Sequence, residues 1–221
     1  MYMLRAQLKV KDEKLHSVSE YLEMERESAE RHEYMDGEIF LMAGESDEHG
    51  DISVNLVASL HAQLKDTDCR VRTKDAKIKT GGFAQKIGQS TKGMFSYPDL
   101  VVICGEIEYH DKKKDIILNP KVIIEVLSSA TEIFDRNDKF TRYKMFNEAL
   151  TDYVLVSQDK PMVEHFIRDA DNSWKMFTYI GLDKVCDIKS IKCRLKLSEI
   201  FDRIKFSKKT HKFLKEIANI K

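Results

Sequence analysis

The chain has 221 residues, 42% hydrophobic and 33% charged, and its 37 basic and 37 acidic side chains cancel. That size suits one domain, or one plus a small appendage, and zero net charge argues against attachment to nucleic acid or membrane by bulk charge, leaving only a local basic patch open. Three prolines and nine glycines exclude collagen-like and proline-rich classes. No apolar run nears the roughly 18 residues of a membrane span, and the first residues lack a signal-type apolar core, so a cytoplasmic protein is expected.

Residues 17–27 predict a first helix, with Ser17 and Glu20 spaced as a capping box. Residues 31–43 predict two strands around Asp36-Gly37, a strong hairpin signal. Residues 49–65 predict a helix whose apolar face carries Ile52, Leu56, Leu60 and Leu64. Residues 69–79 alternate like a strand, and residues 80–96 form a long loop with Gly81, Gly82, Gly88 and Gly93. Loops of that length inside a domain are usually functional or disordered. Leu100–Cys104 and Val122–Leu127 are continuous apolar runs of the kind buried on both faces, broken only by Glu125. A helix over 136–149 and a strand over 152–157 complete a βαβ unit. Residues 162–168 and 173–180 predict a hairpin, and the lysine-rich segment from about Leu197 predicts helix. Cys69, Cys104, Cys186 and Cys193 contain no CxxC pair and are expected as reduced thiols. The histidines are not at zinc-finger spacing.

Three residues carry candidate chemistry. Glu125 interrupts an apolar strand, and a carboxylate there is costly without a partner; an edge position or a structural ion pair would also satisfy it. Asp99 follows Pro98 at the start of another apolar strand, where Asp is also common for turn reasons alone. Two carboxylates on neighbouring strands repel unless a hard cation bridges them, and Mg²⁺ takes oxygen ligands of this kind. On the following helix, at about 100° per residue, Tyr143, Phe146 and Leu150 define one apolar face. Lys139 falls inside it and Lys144 well outside. Lys139 should therefore point toward the sheet, either paired there or snorkelling to water. One arrangement accounts for all three: Asp99 and Glu125 bind a divalent metal, and Lys139 orients or deprotonates the attacking water or stabilises phosphate charge.

YPDLVVIC around Asp99, PKVIIEVLS around Glu125 and the stretch from Asp135 through Lys139 to Tyr143 resemble the Uma-type restriction endonucleases of the PD-(D/E)xK nuclease superfamily. The resemblance spans roughly residues 17–201 and includes the EYMDGEIFLM hairpin, His49 and DYVLVS. It implies an α/β fold with a restriction-endonuclease-like core, a mixed central sheet flanked by helices, and an N-terminal helix and hairpin. Residues 1–202 would form the nuclease-like domain and residues 203–221 a basic helical tail. It implies a Mg (or Mn)-dependent endonuclease acting on DNA, with Asp99 and Glu125 as metal ligands and Lys139 as the catalytic lysine. The superfamily lysine would fall at position 127, where this chain has Leu127; members of this branch place it on the following helix, which Lys139 matches. Glu38 matches a recurrent hairpin acid and is a candidate third ligand. His49 matches a family histidine placed to touch phosphate or a metal-bound water.

Local basic stretches add candidate substrate contacts. Residues 74–93 hold Lys74, Lys77, Lys79, Lys86 and Lys92 beside one acid, and residues 203–221 hold seven Lys or Arg beside Glu216. Such lysines would contact phosphates without reading sequence, or simply form solvated faces. Lys74, Lys77, Lys79 and Tyr143 are the candidate substrate contacts, and the glycine-rich loop is expected to fold over substrate near the metal. A homodimer is a family expectation. The alternatives are an inactive nuclease fold that binds nucleic acid and a partner-binding protein of the same fold.

Overall fold

The computed structural model describes residues 8–9, 14–42, 44–81, 92–129 and 131–218. In chain order the elements are β1 (Leu8–Lys9), α1 (Val18–Glu27), β2 (His32–Met35), β3 (Glu38–Leu41), α2 (Asp47–Leu64), β4 (Cys69–Thr73), β5 (Lys77–Thr80), β6 (Met94–Ser96), β7 (Leu100–Cys104), β8 (Ile116–Ile117) and β9 (Val122–Leu127). A composite helix follows: α3 (Glu132–Phe134), a π-helical turn (Asp135–Lys139) and α4 (Phe140–Phe146). Then come β10 (Asp152–Ser157), β11 (Met162–Arg168), β12 (Trp174–Ile180), β13 (Val185–Ile188), a 3₁₀ turn (Lys189–Ile191), β14 (Cys193–Lys196), α5 (Leu197–Ile200) and α6 (Lys208–Ala218).

The main sheet has the order β12-β11-β10-β9-β7-β4, mixed because β9 and β10 run parallel across the composite helix. A second sheet, β1-β3-β2-β6-β5-β8, packs beside it. Strand alternation decides what each face holds. Val122, Ile124 and Val126 join α2, α5 and the β13–β14 hairpin in one core. Ile123 and Leu127 face the other way, into a core shared with α4 and with Met35, Phe40, Ile78 and Met94 of the second sheet. Glu125 has the parity of Ile123 and Leu127, so it points into the space between the two sheets.

Several predicted elements change. The strand over 69–79 is two strands broken at residues 74–76, and β4 and β5 enter different sheets. The predicted loop over 80–96 ends in β6, which pairs with β2 and β5. The helix begins at Glu132, ahead of the predicted residue 136. The β13–β14 hairpin, with its clean buried–exposed alternation from Cys193 to Lys196, has no counterpart in the sequence reading. Ser17 and Glu20 form the capping box as predicted.

The expectation of four reduced thiols is corrected: Cys69 and Cys104 are disulfide-bonded, while Cys186 and Cys193 are thiols. The two are register partners on β4 and β7. The neighbouring Gly105 N–H donates to Asp68 O, so the cysteines fall at a pair without ladder hydrogen bonds, where opposing side chains come closest. Their separation of 35 positions in sequence gave no local sign of this. Among the described residues no helix is long and apolar enough to cross a membrane.

Candidate active site

The register of β7 against β9 pairs Leu100 with Ile124; one step further sets Asp99 opposite Glu125. Asp99 has the parity of Val101 and Ile103, so both carboxylates share the face between the sheets. The backbone ties them together: Asp99 N–H donates to Glu125 Oε2 at 3.3 Å, and Val126 N–H donates to Asp99 Oδ2 at 2.7 Å. His49, in the first turns of α2, lies with Nε2 2.9 Å from Asp99 Oδ1.

The composite helix brings in the cation. Lys139 closes the π turn and is buried, its Nζ 3.1 Å from Glu33 Oε1, 3.2 Å from Asp135 Oδ1 and 3.4 Å from Glu125 Oε1. π turns inside helices recur at functional sites, and this one sets Asp135 and Lys139 on the same inward side. Glu33 comes from the second sheet. It shares the face of Met35 on β2 and also accepts the Tyr97 N–H at 3.1 Å. Four carboxylates, Glu33, Asp99, Glu125 and Asp135, thus surround one lysine and one histidine. They line a pocket of about 480 Å³ with Arg31, Lys74 and Gln158.

Electrostatics follow from burial and crowding. Burial, with the neighbouring carboxylates, pushes Glu125 up despite Lys139, and burial likewise raises Asp135. Burial disfavours the Lys139 cation, but the pull of Glu125, Glu33 and Asp135 outweighs it and holds the ammonium well above its ordinary range. His49 behaves alike: burial lowers it, and the hydrogen bond and charge of Asp99 raise it overall. Three carboxylates, Glu33, Glu125 and Asp135, crowd the single buried ammonium of Lys139. The pocket's donors at Asp99 and Glu125 are all oxygen, the chemistry that suits Mg²⁺ or Mn²⁺. The residues present therefore fit a divalent cation.

Asp99, Glu125, Lys139, His49 and Lys74 come together in this pocket. Lys74 is ion-paired with Glu45 at the mouth. Four other candidates lie elsewhere. Glu38 pairs with Met35 at the turn end of the hairpin and does not line the pocket; it shares the inward face with Glu33, but one strand step of two residues, roughly 7 Å, separates the two positions along the face. The hairpin acid at the site is Glu33. Tyr143 is fully buried, its hydroxyl 2.7 Å from Ser96 Oγ, so it braces the core and offers substrate no surface. Lys77 is buried over the Tyr21 and Tyr97 rings and 3.8 Å from Glu25. Lys79 lies over Phe95 and 3.3 Å from His110 Nδ1. Burial lowers both lysines, and both belong to the packing of the second sheet.

Residues 82–91 of the glycine-rich loop, with Lys86, lie outside the described residues. The flanking Gly81, Lys92 and Gly93 line a different pocket with Arg142 and Phe146. The sequence reading missed Glu33 and Arg31. Glu33 had one local sign: it shares strand parity with Met35 in a hairpin whose apolar residues must be buried. Arg31, over the Tyr97 ring and hydrogen-bonded to Lys74 O, had none.

The sequence matches the Uma2 family, described as "Putative restriction endonuclease", over residues 18–191. Two proteins of Synechocystis sp. are similar. The uncharacterized protein slr1290 is 32% identical over 86% of this chain and 93% of its own, and the uncharacterized protein sll1609 is 30% identical over 76% and 89%. Among solved structures, a putative nuclease belonging to DUF820 from Anabaena variabilis superposes with a TM-score of 0.67 at 15% identity, covering 85% of this chain and 98% of that one. That likeness bears on the fold, a restriction-endonuclease-like α/β arrangement.

Proposed function

The chain belongs to the Uma2 family, and from that premise we propose that it is a metal-dependent endonuclease hydrolysing phosphodiester bonds in DNA. One observation carries the reading: two carboxylates on adjacent strands share an inward face with a buried lysine 3.4 Å from the second of them. Asp99 and Glu125 would hold Mg²⁺ or Mn²⁺. Such an ion, when bound, polarises the phosphodiester and acidifies a water. His49 fixes the carboxylate of Asp99 through its Nε2 contact. Lys139, kept protonated by its three carboxylates, supplies charge and a hydrogen-bond donor to the water or the phosphate oxygen and is not a proton acceptor. Glu33 and Asp135 hold that ammonium in place. Arg31 and Lys74 at the mouth suit the phosphates of the incoming strand.

The test is nicking of supercoiled plasmid with Mg²⁺ or Mn²⁺ beside Glu125→Gln. The expected result is metal-dependent nicking that falls about a hundredfold or more in the variant, as the loss of several kcal/mol of charge stabilisation requires. Absence of nicking with either metal over several DNA substrates would sink the reading and leave a nucleic-acid-binding module.

A further inference from the structure

A second recess, of about 570 Å³, adjoins the acidic pocket and shares Gln158 with it. Its walls come from the turn after β10 and from α6, whose Thr210 hydroxyl donates to Asp159 O at 2.9 Å. Lys160, Lys205 and Lys209 line it together with Phe206 and Phe213. The Lys160 ammonium lies 5.5 Å from the centre of the Phe213 ring. Phe206 leans edge-on against Phe201 and is anchored to the core, whereas Phe213 sits on α6 and is only half-buried. Three acids share the walls, Glu48, Glu132 and Asp159, and Arg136 already engages Glu132. At the junction of the two cavities the Gln158 side-chain oxygen is buried and has no hydrogen-bond partner.

Lysines around an aromatic surface form the pattern by which proteins hold single strands, with the bases stacked and the backbone neutralised. A recess of this size takes one small molecule, hence one nucleotide and not a duplex. Its position beside the acidic pocket puts that nucleotide next to the bond to be cut. We infer that the recess under α6 binds an unpaired nucleotide of the substrate strand, with the base on Phe213 and the flanking phosphates on Lys160, Lys205 and Lys209. The Gln158 amide faces the base edge. The substrate class is accordingly nucleic acid with a single-stranded segment at the cleavage site. The placement of that segment rests on the nuclease reading; the binding itself does not.

The experiment is fluorescence anisotropy of the full chain with a labelled single-stranded DNA oligonucleotide and the matching blunt duplex, in Ca²⁺ to permit binding without cutting. The single strand is expected to bind roughly tenfold more tightly than the duplex. Phe213→Leu should weaken single-strand binding by roughly tenfold. Lys160→Gln, Lys205→Gln and Lys209→Gln together should lower the salt slope by about 2. Replacing Lys112, Lys113 and Lys114 by Gln removes the same charge elsewhere and should change little. Lys209→Gln alone, at an exposed position, covers the case in which the triple variant folds poorly. The inference falls if these variants bind the single strand like the wild type. It also falls if they weaken single strand and duplex by the same factor. A protein that shows the selective losses but never nicks overturns the nuclease reading alone, and one that nicks while the variants bind unchanged overturns this inference alone.

Discussion

The main sheet carries a polar cluster on each face, and the two are built on opposite logic. Between the sheets, four carboxylates crowd one lysine and one histidine at the wall of an open pocket. On the other face, Asp152 stands alone and is fully supplied with donors: His165 Nε2 at 2.7 Å, Thr151 Oγ1 at 2.6 Å and the Ser190 hydroxyl. Cys186 Sγ lies 3.6 Å from the other ring nitrogen of that histidine. By residue type this second cluster looks like a thiol-nucleophile triad. It has neither an opening nor an activated thiol: His165 and Cys186 are completely buried, and burial pushes the Cys186 thiol up to about 12. A reactive cysteine needs the reverse shift. The cluster instead fastens the 3₁₀ turn and the β13–β14 hairpin to the sheet. A closed network with its donors matched is architecture; the open, carboxylate-rich one is where the proposed cation would sit.

Mutation should separate the two faces. The largest effect on stability is expected at the balanced cluster. Asp152→Ala strands a buried histidine and two hydroxyls and should cost about 3–5 kcal/mol in urea unfolding, with nicking per folded molecule unchanged. Glu125→Gln should show the converse, loss of nicking with stability unchanged or raised, because it removes one of four crowded carboxylates. A large stability loss in Glu125→Gln beside none in Asp152→Ala would break the comparison. Next in size, Glu33→Gln loosens the hold on Lys139 and should lower nicking by about 10–100-fold, the usual cost of losing a supporting partner around a metal site. An unchanged rate would remove Glu33 from the site.

The smallest effect is in pH dependence. Burial works against ionised Asp152, but its hydrogen bonds outweigh burial and hold its carboxyl below the ordinary range. Its contribution to stability is therefore present above about pH 4, where the unfolded carboxyl is ionised, and is lost as pH falls through the lowered folded value. Asp152→Asn should flatten the loss of stability below about pH 4. An unaltered acid limb in urea titrations from neutral to strongly acidic pH would mean that other carboxylates carry it.

The acid pair was readable because strand alternation is local. The parity of Val122–Leu127 fixes which way Glu125 points, and Pro98-Asp99 leads directly into a second apolar run, which the β7–β9 register sets beside it. Lys139 was readable because helical periodicity is also local, and the π turn that intervenes kept it on the inward side. Leu127 fills the usual lysine position as plain core, packed with Ile123 and Phe134. The candidates that do not line the acidic pocket are those whose packing depends on a second sheet. Lys77 and Tyr143 look like substrate contacts in a basic or polar stretch, yet both are buried, packed against Tyr21 and Ser96, and Lys79, half-buried over Phe95, lines a different pocket.

The sequence alone therefore determined the α/β class, the βαβ unit and the inward facing of Lys139, since each follows from local patterns along one segment, while Asp99 and Glu125 stood out as acids bordering or interrupting apolar strands. Only the tertiary structure decided that Glu33 and not Glu38 faces Lys139. It alone also decided that Cys69 meets Cys104 and that a recess under α6 opens beside the acidic pocket. Those are contacts between segments far apart in the chain, and they are set by how sheets and helices pack, which no local periodicity records.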